Sequence, residues 1–599
     1  MWKAGKAGRR LFRLSTFARG QNDSTVRLRL PRWEISGLVA TNAMCRVRRS
    51  RTRMGQGGRQ RGRAIGLASG RGPRPRCALA RLVPSPPMKT KLLAAMLSGA
   101  AFGGVAGAQP LQPLYGEIAP ICAPADLQKV SIPNTTIESV TVDPADGSCL
   151  VTAVVRHPPA EDRVKVFIAL PGRGWKGRFR GNGGGGFSGG SVASLRGPVA
   201  QGFAAGATDT GHEGGSGSFG LGADGRLRWQ EIRDNAYLGI HAMTVVGKAL
   251  TQAFYGRPPR YSYFVGSSTG GRQGLMEAQR YPDDYDGILS GCPAINWHRF
   301  LPAALWPQVL MLEAGNFVSK AKLDAATSAA VAAGDGADGV VDGVIDDPVR
   351  CRYDPQELVG TTVGGDTFTA ADAGIVRQIW QGPRGHGGRF LWYGLTRGTD
   401  LNTYAGTEGA PLVGRPFGIP LDWFRYFLVQ NPRWDWRTMT RAEFELLWNQ
   451  SVEQYGAVFG TDNPDLTRFR ERGGKIIITH GLADQQIPVE GTIDYFERVL
   501  RRMGGAERTA EFARLFLMPG LNHGFRGPAP SVAPGALLNA IVRWVEEGRA
   551  PDRLEGELRD GTGKVVRTRP LFPYPQVAAY QGRGSTDDAA NFTARTPAR

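Results

Sequence analysis

Four short apolar runs set the frame of the chain. Val164–Leu170 (VKVFIAL), Tyr261–Gly266 (YSYFVG), Lys475–Gly481 (KIIITHG) and Arg514–Gly520 (RLFLMPG) are almost continuously apolar and are bounded by glycine-rich turns. Runs of that kind read as strands buried on both faces. Between them the apolar period becomes helical, over Gln230–Gly256, after Ser268, over Thr492–Gly505 and over Ala536–Gly548. Buried strands alternating with helices predict an α/β protein with a parallel sheet. From Asn296 to Asp462 the alternation breaks, and most of the tryptophans fall there with long irregular segments. Such a block between two sheet strands predicts an inserted lid domain at 296–462, dividing a core into 109–295 and 463–599.

Charge changes the picture at the N-terminus. The formal net charge of +21 suggests a nucleic-acid partner. However, residues 1–87 hold 21 Lys/Arg against 2 Asp/Glu, whereas residues 109–599 hold 51 of each. Met88 then opens a secretory signal: Lys89 and Lys91, an apolar stretch over Leu92–Val105, and the A-x-A site Ala106–Ala108. Residues 88–108 are therefore expected to be a cleaved signal peptide, and 1–87 a mistranslated, disordered upstream extension. A basic arm binding nucleic acid and a twin-arginine signal in Gly8–Ser15 are the weaker readings. The expected product is periplasmic or secreted, with no nucleic-acid partner and no membrane attachment after cleavage. Export permits disulfides, and Cys122 and Cys149, close in sequence around a strand-like segment, are expected to pair.

The chemistry centres on Gly266-Ser267-Ser268-Thr269-Gly270, which fits G-x-S-x-G between an apolar strand and a helix. Glycines let the chain turn sharply and lift the Ser268 hydroxyl out of the sheet, with the Thr269 N–H aimed at the same space. A serine nucleophile needs a base, and the base an acid. Asp484 and His523 each follow the C-terminal end of a predicted strand, in the α/β-hydrolase order serine, acid, histidine. His480 precedes the acid and is expected to line the substrate pocket.

After Val164–Leu170 the chain runs into a glycine-rich loop. Its G-x-G-x-x-G at Gly172–Gly177 opens no helix and is not a dinucleotide signature. Asn182–Gly186 better suits a second oxyanion donor, with Gly184 expected first, then Gly183 or Gly185. Gly334–Asp346 (GDGADGVVDGVID) sets Asp335, Asp338 and Asp342 in alternation with the carbonyls of Val340 and Val344. Oxygen-only ligands favour Ca²⁺ in a structural role. The loop is no EF-hand, because the twelfth residue from Asp338 is Val349.

With these pieces the chain resembles the tannase and feruloyl esterase family of serine esterases, which includes mono(hydroxyethyl) terephthalate hydrolases. The resemblance rests on ATDTGH (207–212), GSSTGGRQGLMEAQRYPDDYDGI (266–288), the Asp/Gly loop, HGLAD (480–484), NHG (522–524) and RPLFPYPQVAAYQG (569–582). It implies an α/β-hydrolase core with a large inserted lid, a triad at Ser268, Asp484 and His523, and calcium on Asp335, Asp338, Val340, Asp342 and Val344. The oxyanion donors would be Thr269 and a glycine of 183–186. It also implies a small aromatic ester substrate of feruloyl, galloyl or terephthaloyl type, on whose ring Trp392, Trp423, Phe424 or Phe427 could stack. The departures are in cysteine. The family's disulfide flanking nucleophile and base is replaced by Ser267 and Gly524. Gly334 leaves Cys351 without its usual partner, and the tail pair is absent at Phe572 and Ala594. The alternatives are a peptidase or acyltransferase on the same triad, or a catalytically silent binding protein.

Overall fold

The computed structural model describes residues 111–116 and 118–597, all within one compact unit. The basic segment and the expected signal peptide lie outside the described residues. No helix among the described residues is long and apolar enough to cross a membrane.

A nine-stranded sheet organises the chain. Its strands are β1 (Thr135–Val142), β2 (Cys149–Val155), β3 (Val164–Leu170), β4 (Arg178–Asn182), β5 (Phe203–Thr208), β6 (Tyr261–Ser267), β7 (Gly287–Gly291), β8 (Lys475–Gly481) and β9 (Ala513–Met518). The spatial order is β1-β2-β3-β5-β4-β6-β7-β8-β9. The four expected strands are all present. The sheet, however, is mixed: β1, β2, β3 and β5 pair antiparallel, and only β5-β4-β6-β7-β8-β9 run parallel. β1–β2 and β2–β3 are joined by short connections, which allow only antiparallel neighbours, whereas later strands are separated by helices long enough to cross over.

The helices follow the apolar periodicity with displaced ends. The segment 230–256 divides into a short helix, a π-turn at Asp234–Leu238 and α1 (Gly239–Tyr255), which stops at Gly256 in the left-handed region (φ 72°). α2 (Thr269–Arg280) follows β6 directly. Between β7 and β8 lie α3 (Trp297–Ala314), α4 (Lys320–Gly334), α5 (Ala370–Gln381) and α6 (Arg441–Phe459). Thr369 with Asp372 and Thr440 with Glu443 form capping boxes that start α5 and α6. α7 (Val489–Arg502) and α8 (Pro534–Glu547) complete the layers, and β10 (Leu554–Arg559) pairs with β11 (Val565–Leu571).

The helical block between β7 and β8 buries its own aromatic core, Trp297, Trp306, Trp423, Phe427, Tyr455 and Phe459, continuous with Phe187 and Ile487 of the sheet unit. Trp392, Trp423, Phe424 and Phe427, expected as ring-stacking candidates, are all buried in that core. The expected Cys122–Cys149 disulfide is absent. Both are free thiols; the Cys122 thiol is directed at the Ala253 carbonyl (3.8 Å) on α1, while Cys149 is buried on β2.

Candidate active site

Ser268 stands between β6 and α2 with φ 62° and ψ −124°, a conformation costly for a residue with a side chain. Its N–H donates to the Gly291 carbonyl (2.9 Å), and its own carbonyl accepts from Ala294 (3.0 Å) and Arg272 (3.0 Å). The glycines around it are required by space. A Cβ at Gly266 would lie 2.5 Å from the Gly270 backbone, and one at Gly270 3.1 Å from Gly183. The expected elbow is thus formed, and bare backbone packs on bare backbone.

Asp484 follows β8 and His523 follows β9, and the structure brings them together. His523 Nδ1 lies 2.8 Å from Asp484 Oδ2, so Nε2 is the nitrogen left for a proton in transit. Asp484 Oδ1 accepts the N–H groups of Gln486 (2.8 Å) and Ile487 (2.9 Å), which fixes the carboxylate. Burial opposes the charge on Asp484, but the hydrogen bonds from His480 and His523 outweigh it and hold the carboxyl far below its usual range. Burial likewise opposes the imidazolium of His523, and the hydrogen bond and charge of Asp484 reverse that and raise its pKa.

The 291–294 turn after β7 links the two halves. Gly291 holds the Ser268 amide, and the Cys292 thiol donates to the His523 carbonyl (3.5 Å). Sequence reasoning missed Cys292; its place at a strand's C-terminal end was the available signal. Burial pushes its thiol pKa up, so it is held as a neutral thiol.

Two expectations change. His480 is fully buried and does not line the cleft. It sits behind the acid, with Nε2 3.1 Å from Asp484 Oδ2 and Nδ1 2.9 Å from Thr492 Oγ1. The expected oxyanion glycines already have acceptors: Gly183 donates to Val265 O (3.0 Å), Gly184 to Gln273 Oε1 (2.9 Å) and Gly185 to Ser188 O (3.0 Å). Gly186 is the glycine of that run beside the serine. Its carbonyl accepts the Thr269 hydroxyl (2.7 Å), and it lines a narrow cleft with Ser268 and Thr269. Trp297, Phe300, Phe417, Ile419 and Ile487 form the apolar walls.

The profile of the tannase and feruloyl esterase family matches residues 149–414 and 419–595. The chain belongs to that family. It is a carboxylic ester hydrolase of the tannase and feruloyl esterase type. It is 38% identical over 476 residues to a probable feruloyl esterase of Arthroderma benhamiae, covering 77% of this chain and 86% of the relative. It is 30% identical over 507 residues to the mono(2-hydroxyethyl) terephthalate hydrolase of Piscinibacter sakaiensis, covering 72% and 82%. Among solved structures, feruloyl esterase B from Aspergillus oryzae superposes with a TM-score of 0.69 at 28% identity, covering 79% of this chain and 100% of that one. Tannin acyl hydrolase from Aspergillus niger gives 0.71 at 25%, covering 79% and 95%.

The Asp/Gly loop has features that suit a hard cation. The Asp338 and Asp346 carboxyls face each other, and burial together with Asp338 pushes Asp346 well above its usual range. Among the described residues no backbone N–H donates to the Val340 or Val344 carbonyls. Asp335 Oδ1 is held by the N–H groups of Asp342 (2.9 Å) and Gly343 (3.0 Å), and Asp342 Oδ2 pairs with Arg569 (2.6 Å).

Proposed function

We propose that this enzyme hydrolyses esters of aromatic acids through a Ser268–His523–Asp484 triad and an acyl-enzyme. The observation that carries the reading is Ser268, held in its strained turn at the floor of a cleft walled by Trp297, Phe300 and Phe417, with the 291–294 turn joining it to His523. The Ser268 hydroxyl attacks the ester carbonyl as its proton passes to His523 Nε2. The tetrahedral oxyanion is met by the N–H groups of Thr269 and Gly186. Collapse expels the alcohol, which takes the proton from His523. Water then repeats the sequence on the acyl-serine and releases the carboxylic acid. Asp484 stays ionised and stabilises the imidazolium formed in each half.

The α/β-hydrolase fold, with the 296–462 block as a lid over the cleft, accounts for the order of Ser268, Asp484 and His523 at successive strand ends. Ca²⁺ in the Asp/Gly loop would be held by Asp335, Asp338 and Asp342 and by the carbonyls of Val340 and Val344. Its role there is structural, offsetting crowded carboxylates. The signal at 88–108 would direct the enzyme to the periplasm or the medium.

Ser268→Ala, assayed on methyl ferulate, methyl gallate and a terephthalate monoester, tests the reading. Turnover is expected to fall by at least about 10⁴-fold on every substrate cleaved by the parent. Undiminished turnover removes Ser268 as nucleophile, and failure of the parent on all three removes the aromatic-acid assignment.

A further inference from the structure

Outside the active site, Glu277 stands out. It lies on α2, nine residues beyond Ser268, and is 1% exposed. Neither carboxylate oxygen has a hydrogen-bond partner. Its polar neighbours are Asp284, in the turn before β7, and His241 on α1. His241 Nδ1 is 2.7 Å from Asp284 Oδ2, and the imidazole is stacked on Tyr281 with ring centroids 3.9 Å apart. The other groups around Glu277 have acceptors elsewhere: Lys248 donates to the Asp284 carbonyl, and the Tyr285 hydroxyl pairs with Thr244.

A buried carboxylate facing a second carboxylate, with no donor between them, requires a proton or a cation. Elsewhere the chain supplies donors to such a pair. Asp234, near Asp162, receives Gln230 Nε2 (2.9 Å), and His157 Nδ1 lies between the two aspartates at 2.7 and 3.4 Å. Glu277 has no equivalent. The Lys248 ammonium acts on it only through its charge, being held by the Asp284 carbonyl, and the groups that could share an ion with it are one imidazole and a second carboxylate, with one ligand atom from each of the three residues within 4.8 Å of the others. Ligands about 2.0–2.1 Å from a tetrahedral Zn²⁺ stand about 3.4 Å apart, so small rotamer changes close the set. An imidazole ligand disfavours Ca²⁺ and Mg²⁺ and favours a transition metal. His241 and Asp284 have side chains 35% and 13% exposed, which gives an ion a way in and leaves a position for water.

We propose that His241, Glu277 and Asp284 form a structural site for a divalent transition-metal ion, Zn²⁺ being the best match. The ion would tie α1, the far half of the nucleophile-bearing α2 and the turn leading into β7. Glu277 is about 13 Å along the helix from Ser268, so the ion braces the elbow and does not enter the ester chemistry.

The test uses mature enzyme stripped with chelator and resaturated with Ca²⁺, then titrated with ZnCl₂ by calorimetry and melted with and without Zn²⁺. His241→Gln and Glu277→Gln are treated identically. The parent is expected to bind one more Zn²⁺ than either variant and to gain about 3 °C or more in Tm with Zn²⁺, a gain the variants lack. Comparing differences removes Zn²⁺ held elsewhere, as at Cys292 or His157. Equal stoichiometry and equal Zn²⁺ response in parent and variants overturn the site. So does a metal-free Glu277→Gln that melts above the Zn²⁺-loaded parent, which would mean that a shared proton is the resident cation. Should Glu277→Gln fail to fold by circular dichroism, the partly exposed His241→Gln alone decides.

Discussion

His480 and His523 donate to the same oxygen of Asp484, at 3.1 and 2.8 Å. One carboxylate oxygen thus serves the base in front and a fully buried imidazole behind. With Nε2 donating to Asp484, His480 Nδ1 accepts a hydrogen bond from the Thr492 hydroxyl. Removing the Nε2 donor leaves more of the carboxylate charge acting on His523. His480→Leu is expected to raise the acid-limb pKa of kcat/KM and to lower stability by about 1–3 kcal/mol. A pH–rate profile with a denaturant melt checks both.

Asp484→Asn acts in the opposite direction. Without the carboxylate the imidazolium loses its main support, so the acid limb moves to lower pH. The wrong tautomer is also favoured, and kcat is expected to fall about 10⁴-fold with the fold intact. An acid limb that stays in place would separate His523 from the ionisation that governs rate.

The geometry at the Asp/Gly loop admits a new disulfide. A Cβ at Gly334 would lie 3.2 Å from Cys351 Sγ, close to the roughly 3.0 Å between Cβ and the distal sulfur of a disulfide. Gly334 has φ −104°, so a side chain is tolerated there. Gly334→Cys is expected to oxidise with Cys351 and to add about 3 kcal/mol. Thiol titration and the difference in Tm with and without reductant measure it.

The calcium proposed for the Asp/Gly loop predicts a chelator effect. EDTA is expected to lower Tm, CaCl₂ to restore it, and Asp338→Asn to abolish the response. Equal melting with and without chelator would leave the loop as an acidic turn.

Asp234 predicts a pH dependence of stability. Burial, aided by the charge of Asp162, raises its pKa to about 8. A carboxyl raised on folding costs nothing below its unfolded pKa near about 4 and progressively more up to the folded value. The fold is therefore penalised at pH 8 relative to pH 4 by this group. Asp234→Asn, which can still accept from Gln230, is expected to raise Tm at pH 8 and to change it little at pH 4.

The sequence by itself determined four of the nine strands of the sheet, the elbow and the order of Ser268, Asp484 and His523. Each is local: apolar runs bury, glycines turn, and functional side chains follow strand ends. It also placed the carboxylates of the Asp/Gly loop. Tertiary structure decided what depends on which group faces which. Gly184 looked free until Gln273, 89 residues away, took its N–H. His480 looked like a pocket residue until β8 turned it toward Thr492, behind the acid. Cys122 and Cys149 are near in sequence, yet the Cys122 thiol turns to α1. The mixed pairing of the first strands, and the meeting of His241, Glu277 and Asp284 from three elements, leave no trace in hydrophobic period, because period reports which face is buried and not what it is buried against.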